Sequence, residues 1–118
     1  MIRKRHNYKN LKIWNLGMEI VDDVFKLIES FPNEERFGLV SQLNRCSVYI
    51  PSNIAEGSSR KDKSFSHFID ISLGSSFELE TQLLIAFNRK YITQEQLTII
   101  EGKLAEFHKM TMSFQNKL

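Results

Sequence analysis

The chain has 118 residues, a net charge of only +2 and a single cysteine, Cys46. That length buries one core without staples. The charge is too small to argue for nucleic acid by itself, and a lone cysteine excludes an internal disulfide.

Gly and Pro are scarce, while Leu, Ile, Phe, Glu, Lys and Gln are frequent, which favours helix. The basic N-terminus has no apolar segment behind it, so no signal peptide is expected. No apolar run approaches the length of a membrane span. The expectation is one cytoplasmic domain over residues 1–118, with no membrane contact.

Charge is spread unevenly. Residues 1–12 carry Arg3, Lys4, Arg5, Lys9 and Lys12 and no acid, whereas residues 19–35 carry Glu19, Asp22, Asp23, Glu29, Glu34 and Glu35 against Lys26. A second basic cluster is Arg60, Lys61 and Lys63 around Asp62. These basic residues are the candidate nucleic-acid contacts, because neutralising phosphates releases condensed counterions. The other reading of residues 1–10 is a solvated, frayed arm.

From Leu11 the apolar residues fall into a 3-4 rhythm: Leu11, Trp14, Met18, Val21, Phe25, Ile28. Leu16, Ile20, Val24 and Leu27 widen it to the broad stripe of a bundle helix. This predicts α1 over about residues 11–30, ended by Phe31-Pro32. Gly17 inside it costs about 1 kcal/mol against alanine, which points to close approach of a neighbouring backbone.

The second helix, α2, should start near residue 33 or 34, with Phe37, Val40, Leu43, Ser47, Ile50 and Ile54 on its apolar face. Its periodicity runs through Pro51, which lacks the N–H for the Ser47 carbonyl, so a kinked continuous helix is expected. Gly57 is a natural residue to end it.

The third helix, α3, is predicted from residue 62 or 64 to about 90. Its apolar positions fall on two faces, and its centre, Ser72-Leu73-Gly74-Ser75-Ser76, is small enough for close helix approach. The fourth, α4, opens on Thr93-Gln94-Glu95-Gln96, a capping box, with Ile92 and Leu97 as a hydrophobic staple. Short connections between four helices predict an all-α, antiparallel up-down-up-down four-helix bundle.

Chemistry-bearing motifs are few. A di-iron bundle needs Glu-x-x-His pairs, yet Ser64 precedes His67 by three residues and Ala105 precedes His108 by three. His67 and Asp70 are one turn apart, too few ligands for a metal site. Cys46 sits one position from the apolar seam of α2, the usual setting of an inert structural cysteine. Gly57-Ser58-Ser59-Arg60-Lys61 lacks the spacing of a phosphate-binding loop and follows a helix, not a strand. No catalytic residue, metal or cofactor is assigned, and the chain reads as non-enzymatic.

The stronger polar constellation is Arg45, Asn53 and Glu56 on α2 with Glu78, Glu80 and Gln82 on α3. Arg45 and Glu56 are three turns apart and share a face, while Glu80 points to another side from Glu78 and Gln82. One reading is a partly buried polar site or intersubunit network. The other is a solvent-facing set of weak helix pairs.

Four segments carry a family resemblance: Tyr8-Lys9-Asn10-Leu11-Lys12-Ile13-Trp14; Phe31-Pro32 followed by Glu35-Arg36-Phe37-Gly38-Leu39; Ile50-Pro51-Ser52-Asn53-Ile54-Ala55-Glu56-Gly57; and Gly74-Ser75 followed by Glu78-Leu79-Glu80-Thr81-Gln82-Leu83. In that order they resemble the four-helix bundle proteins encoded in 23S ribosomal RNA intervening sequences. Cys46 and Tyr49 stand where smaller residues are usual. The resemblance implies a bacterial homopentamer of uncertain role with no catalytic residues. It also implies kinship with the accessory variability determinant of diversity-generating retroelements, which contacts nucleic acid and a reverse transcriptase. Two roles follow as expectations: an oligomeric RNA-associated protein, or a protein-interaction scaffold such as a reverse-transcriptase accessory subunit. Apolar residues on more than one face of α1 and α3 also predict self-association.

Overall fold

The computed structural model describes residues 6–118, so Arg3, Lys4 and Arg5 lie outside the described residues. Four helices form: α1 (Lys12–Ile28), α2 (Leu39–Ser58), α3 (Asp62–Asn88) and α4 (Gln94–Asn116), with no strand among the described residues. Their cross-contacts fix the directions. Along α2 and α3, Gly57 meets Phe65, the Ile50 carbonyl meets Ser72, and Gln42 meets Gln82. Along α3 and α4, Ser66 meets Gln115 and Ser76 meets His108. Along α1 and α4, Lys103 meets Asp23, while Lys12 and Phe114 line one groove. Each pair runs in opposite senses, and the result is an elongated bundle of 55 × 25 × 19 Å.

The core is one cluster with contributions from every helix, including Ile20, Val24, Leu43, Ile50, Ile54, Phe65, Ile69, Leu79, Leu83, Ile100, Leu104 and Phe107. The α2–α3 pair is the most extensively packed. Small residues make that closeness feasible. Ser72 is fully buried and its hydroxyl donates to the Ile50 carbonyl at 2.7 Å. Gly17 has the close neighbour its position implies: a Cβ there would sit 3.3 Å from Ile50 Cγ2 and 3.4 Å from Pro51 Cβ. Pro51 itself is buried within the continuous α2.

The observed helix bounds correct three expectations. First, α2 begins at Leu39, not at residue 33 or 34. Asn33–Glu35 is a separate 3-10 turn, and Gly38 (φ −106°, ψ −108°) stands outside the helical region at the N-cap. Phe37 consequently leaves the apolar face and is 88% exposed. Second, Gly57 does not end α2. The helix continues to Ser58, and no glycine takes a positive φ. Gly57 is instead a point of close approach between α2 and α3, because an added Cβ would meet Phe68 Cβ at 2.7 Å. Third, residues 6–10 are not a frayed arm. Tyr8–Asn10 forms a 3-10 turn capped by Asn7, and the Tyr8 ring meets Trp14 edge-on at 5.3 Å. Of the small residues in α3, Gly74 faces open space and Ser72 makes the close contact.

The capping box of α4 forms as its sequence dictates. The Gln96 N–H donates to Thr93 Oγ1 at 3.1 Å, and the Thr93 N–H donates to Gln96 Oε1 at 2.9 Å. Before it, α3 ends in a Schellman arrangement: the Tyr91 N–H donates to the Ala86 carbonyl and the Lys90 N–H to the Phe87 carbonyl, both at 2.9 Å. Lys90 occupies the left-handed position with φ +67°. A lysine there bears about 1–2 kcal/mol of steric cost that glycine avoids, less glycine's greater chain entropy. Lys90→Gly is therefore expected to stabilise the bundle by about 0.5–1 kcal/mol in urea unfolding.

Candidate functional site

Two polar regions stand out: a groove along the α2–α3 seam and a basic end of the bundle. The seam groove has two parts that share Tyr49. One part, about 310 Å³, is lined by Gln42, Arg45, Cys46, Tyr49, Glu78 and Gln82. The other, about 390 Å³, is lined by Tyr49, Ser52, Asn53, Glu56, Phe68 and Ile71. The structure thus brings Arg45, Glu78 and Gln82 together and sets Asn53 and Glu56 in the neighbouring part. Glu80 belongs to neither: it acts electrostatically on His108, on the α4 side.

Around the first part the polar groups serve one another. Gln82 is buried, and its amide donates to Gln42 Oε1 and to Cys46 Sγ, both at 3.4 Å. The Arg45 guanidinium is hydrogen-bonded to the Tyr49 hydroxyl one turn on, which raises the pKa of Arg45. Burial, then a hydrogen bond to the Glu78 carboxylate, pushes the Cys46 thiol up to about 11. A thiol held protonated is a poor nucleophile. Alkylation of Cys46 by iodoacetamide near ~pH 8 is expected to run at least about tenfold slower than that of an unfolded thiol, with denaturant restoring the rate. In the second part the Asn53 amide bonds back to the Tyr49 carbonyl at 2.8 Å, and Glu56 pairs with Arg60 at 3.4 Å. Neither reaches Arg45 in any contact described, so the two ends of the expected network are joined only through Tyr49.

The basic end arises because residues 6–12, the α2–α3 connection and the end of α4 converge. The His6 ring lies edge-on to Phe65 of α3 at 5.2 Å and to Phe114 of α4 at 5.8 Å, and its Nε2 is 3.8 Å from Asp62 Oδ1. Lys9 and Lys12 therefore share this end with Arg60, Lys61 and Lys63. Lys117, which sequence reasoning missed, joins them beside Lys12. Glu56 and Asp62 are the acids nearest this cluster in the chain.

Other polar side chains that sequence reasoning missed hold the fold. Glu35 Oε2 accepts from the Tyr91 hydroxyl at 2.8 Å, and Oε1 from the Leu39 N–H at 3.4 Å. One carboxylate thereby ties the α1–α2 connection to the α3–α4 connection. Lys103 bridges Asp23 at 2.6 Å and Glu19 at 3.2 Å, joining α4 to α1. His108 Nε2 lies 2.8 Å from Ser76 Oγ, whose own proton goes to the Leu73 carbonyl at 2.6 Å. His108 is therefore the donor, and Ser76 is not activated as a nucleophile. Burial lowers the pKa of His108, favouring the neutral ring, which stacks on Phe77 at 4.3 Å. Among the described residues, no three His, Cys, Asp or Glu side chains gather as a metal site. No helix among them is long and apolar enough to cross a membrane.

The model of the 23S rRNA-intervening sequence protein family matches residues 9–113. The chain belongs to this family. Its fold is also that of a protein of unknown function from the S23 ribosomal protein family of Bacteroides thetaiotaomicron, with a TM-score of 0.81 and 24% identity over 88% of this chain and 95% of that one. No curated protein matches. In this member of the intervening-sequence protein family, the segments that carry the resemblance have architectural work. Tyr8 packs on Trp14, Glu35 clamps two connections, Gly57 admits α3, and Gln82 fills the seam.

Proposed function

We propose that this bundle is a non-enzymatic, self-associating RNA-binding protein of the cytoplasm whose basic end contacts phosphates. The observation that carries the reading is the convergence of Lys9, Lys12, Arg60, Lys61, Lys63 and Lys117 on one end, while the acids of α1 line its flank toward the other. Clustered lysines and arginines bind RNA by releasing counterions, so affinity should fall steeply with salt. The test is fluorescence anisotropy of a structured RNA with the intact protein. Binding that weakens by about tenfold or more between ~50 and ~200 mM salt is expected; no binding at low salt overturns the reading.

Self-association is supported by apolar side chains left outside the core. Met18 and Phe25 are exposed on the outer face of α1, as are Ile71, Leu84 and Ile85 on α3. Large apolar side chains left exposed on the outsides of two helices are surface that protein contacts commonly cover. The family resemblance makes a pentamer the assembly to look for, and light scattering that finds a stable monomer at micromolar concentration would refute it. The same surfaces favour a second reading, a scaffold for a protein partner such as a polymerase. Phe37, fully outside the core with Arg36 over its ring at 5.3 Å, is the residue such a partner would engage.

A further inference from the structure

Between the start of α1 and the end of α4 lies a groove of about 390 Å³ that the polar constellation does not include. Its floor contains Met110 and Phe114; its rim contains Lys12, Lys117, Asn10 and Ser113, and none of its lining residues is acidic. The rim side chains are exposed and the two floor side chains partly buried. We infer that this groove accepts an unpaired base of single-stranded RNA, with the flanking phosphates on Lys12 and Lys117. The inference rests on the RNA-binding reading above and names the form of RNA that this end selects.

The chemistry follows from the lining. A nucleobase presents a flat π-face to an aromatic ring and a polarizable thioether, and such stacking is tolerant of base identity. Ammonium groups on both sides match a backbone that carries charge on either side of each base. Asn10 and Ser113 add a hydrogen-bonding amide and hydroxyl at the rim, where base edges would lie. The volume sits at the small end of the ordinary ligand-pocket range of about 300–1,000 Å³. A paired base cannot leave its stack to enter such a groove without paying for unstacking, so single strands are favoured over duplex. The location supports the same occupant: the Phe114 ring packs against Phe65 at 5.5 Å, and Phe65 lies in the first turn of α3 beside Lys61 and Lys63. A strand leaving the groove therefore runs onto the rest of the basic end. An acyl chain with an anionic head would meet the lysines and the apolar lining but make no use of Asn10 and Ser113.

The test compares a short single-stranded RNA and a duplex RNA of the same composition against wild-type protein and Ser113→Glu. Ser113 is exposed, so the carboxylate enters the groove without disturbing the core. Single-strand affinity is expected to fall about fivefold or more beyond any fall in duplex affinity, because the duplex meets only the added charge while the single strand also loses its base site. Ser113→Gln should retain wild-type binding. Photo-cross-linking of 4-thiouridine RNA should label Met110 or Phe114. Equal weakening of both RNAs, or of neither, overturns the inference, as do cross-links that fall only elsewhere. Uptake of a dodecanoate probe that Ser113→Glu abolishes, with RNA binding unchanged, would assign the groove to an acyl chain and overturn it too. If wild-type protein binds neither RNA at low salt, the RNA-binding reading itself fails. If it binds both and Ser113→Glu changes nothing, the base site alone fails.

Discussion

Gly57→Ala is expected to destabilise the bundle by about 2 kcal/mol, although alanine is the better helix former by about 1 kcal/mol. The new Cβ would lie 2.7 Å from Phe68 Cβ and 2.8 Å from Phe65 Cδ1, with Phe65 Cα at 3.4 Å. Neither Phe Cβ nor Cα is the far end of a flexible chain, so α3 itself must move. Phe65 is fully buried and its ring packs against Phe114, which leaves it little freedom to turn aside. Overpacking of this kind costs about 1–3 kcal/mol, occasionally more, and here it should exceed the helix gain. Gly74→Ala and Gly102→Ala provide the internal control, because nothing lies within 4 Å of a Cβ at either position. Both should stabilise by about 0.5–1 kcal/mol. Urea unfolding of the three variants decides the matter; a Gly57→Ala protein as stable as the other two would show that α2 and α3 are not in contact at this point.

Removing two charges from the basic end is expected to have the largest effect on RNA binding. For the double variant Lys61→Gln/Lys63→Gln, loss of two phosphate contacts lowers the slope of log affinity against log salt by about 1.4 for a single strand. The same relation gives an affinity loss of about sixtyfold near ~50 mM salt, shrinking to about tenfold near ~200 mM. Lys26→Gln, on α1 at the other end of the bundle, removes an equal charge per site and should leave binding within about twofold, since screening confines its influence to about 10 Å. Circular dichroism keeps a folding defect from passing as a binding defect. Equal losses from Lys26→Gln and the double variant would mean that net charge, and not this end of the molecule, governs binding.

Much of the fold could be read from residues whose structural consequence is local. The capping box at Thr93 and Gln96 needs only the geometry of a helix start. The apolar stripe of α4 needs only helical periodicity. On α1 periodicity showed the helix but not its inner face, since Met18 and Phe25 of the expected seam are exposed while Ile13, Leu16, Ile20 and Val24 fill the core. Gly17 was legible because a glycine inside an apolar-patterned helix requires a reason, and the reason lies against Ile50 and Pro51. Gly57 was misread for a related cause. A glycine near a helix end fits both a left-handed cap and a close helix contact, and its own neighbours in sequence do not separate the two. Residue 90 shows the converse: a lysine takes the left-handed position that glycine ordinarily fills, so no glycine marks that helix end in the sequence. The start of α2 was misplaced because Glu34 and Glu35 suit a helix N-terminus, whereas Gly38 and the Glu35 side chain defer it to Leu39.

The candidate sites were legible as ingredients and not as places. Two separated basic clusters are visible in the chain; the antiparallel order of the helices carries both to one end, where the packing of His6 on Phe65 and Phe114 holds residues 6–12 and Lys117 joins them. The polar constellation on α2 and α3 divides into two parts of a groove because helix rotation, set by which apolar residues fill the core, turns Glu80 toward His108 and Glu78 toward Cys46. By itself the sequence determined that this protein is four helices around one apolar seam, since periodicity, capping and turn chemistry act over a few residues. Only the tertiary structure decided where the helices touch, which polar groups are satisfied and where positive charge accumulates, because those depend on distances between residues far apart in the chain.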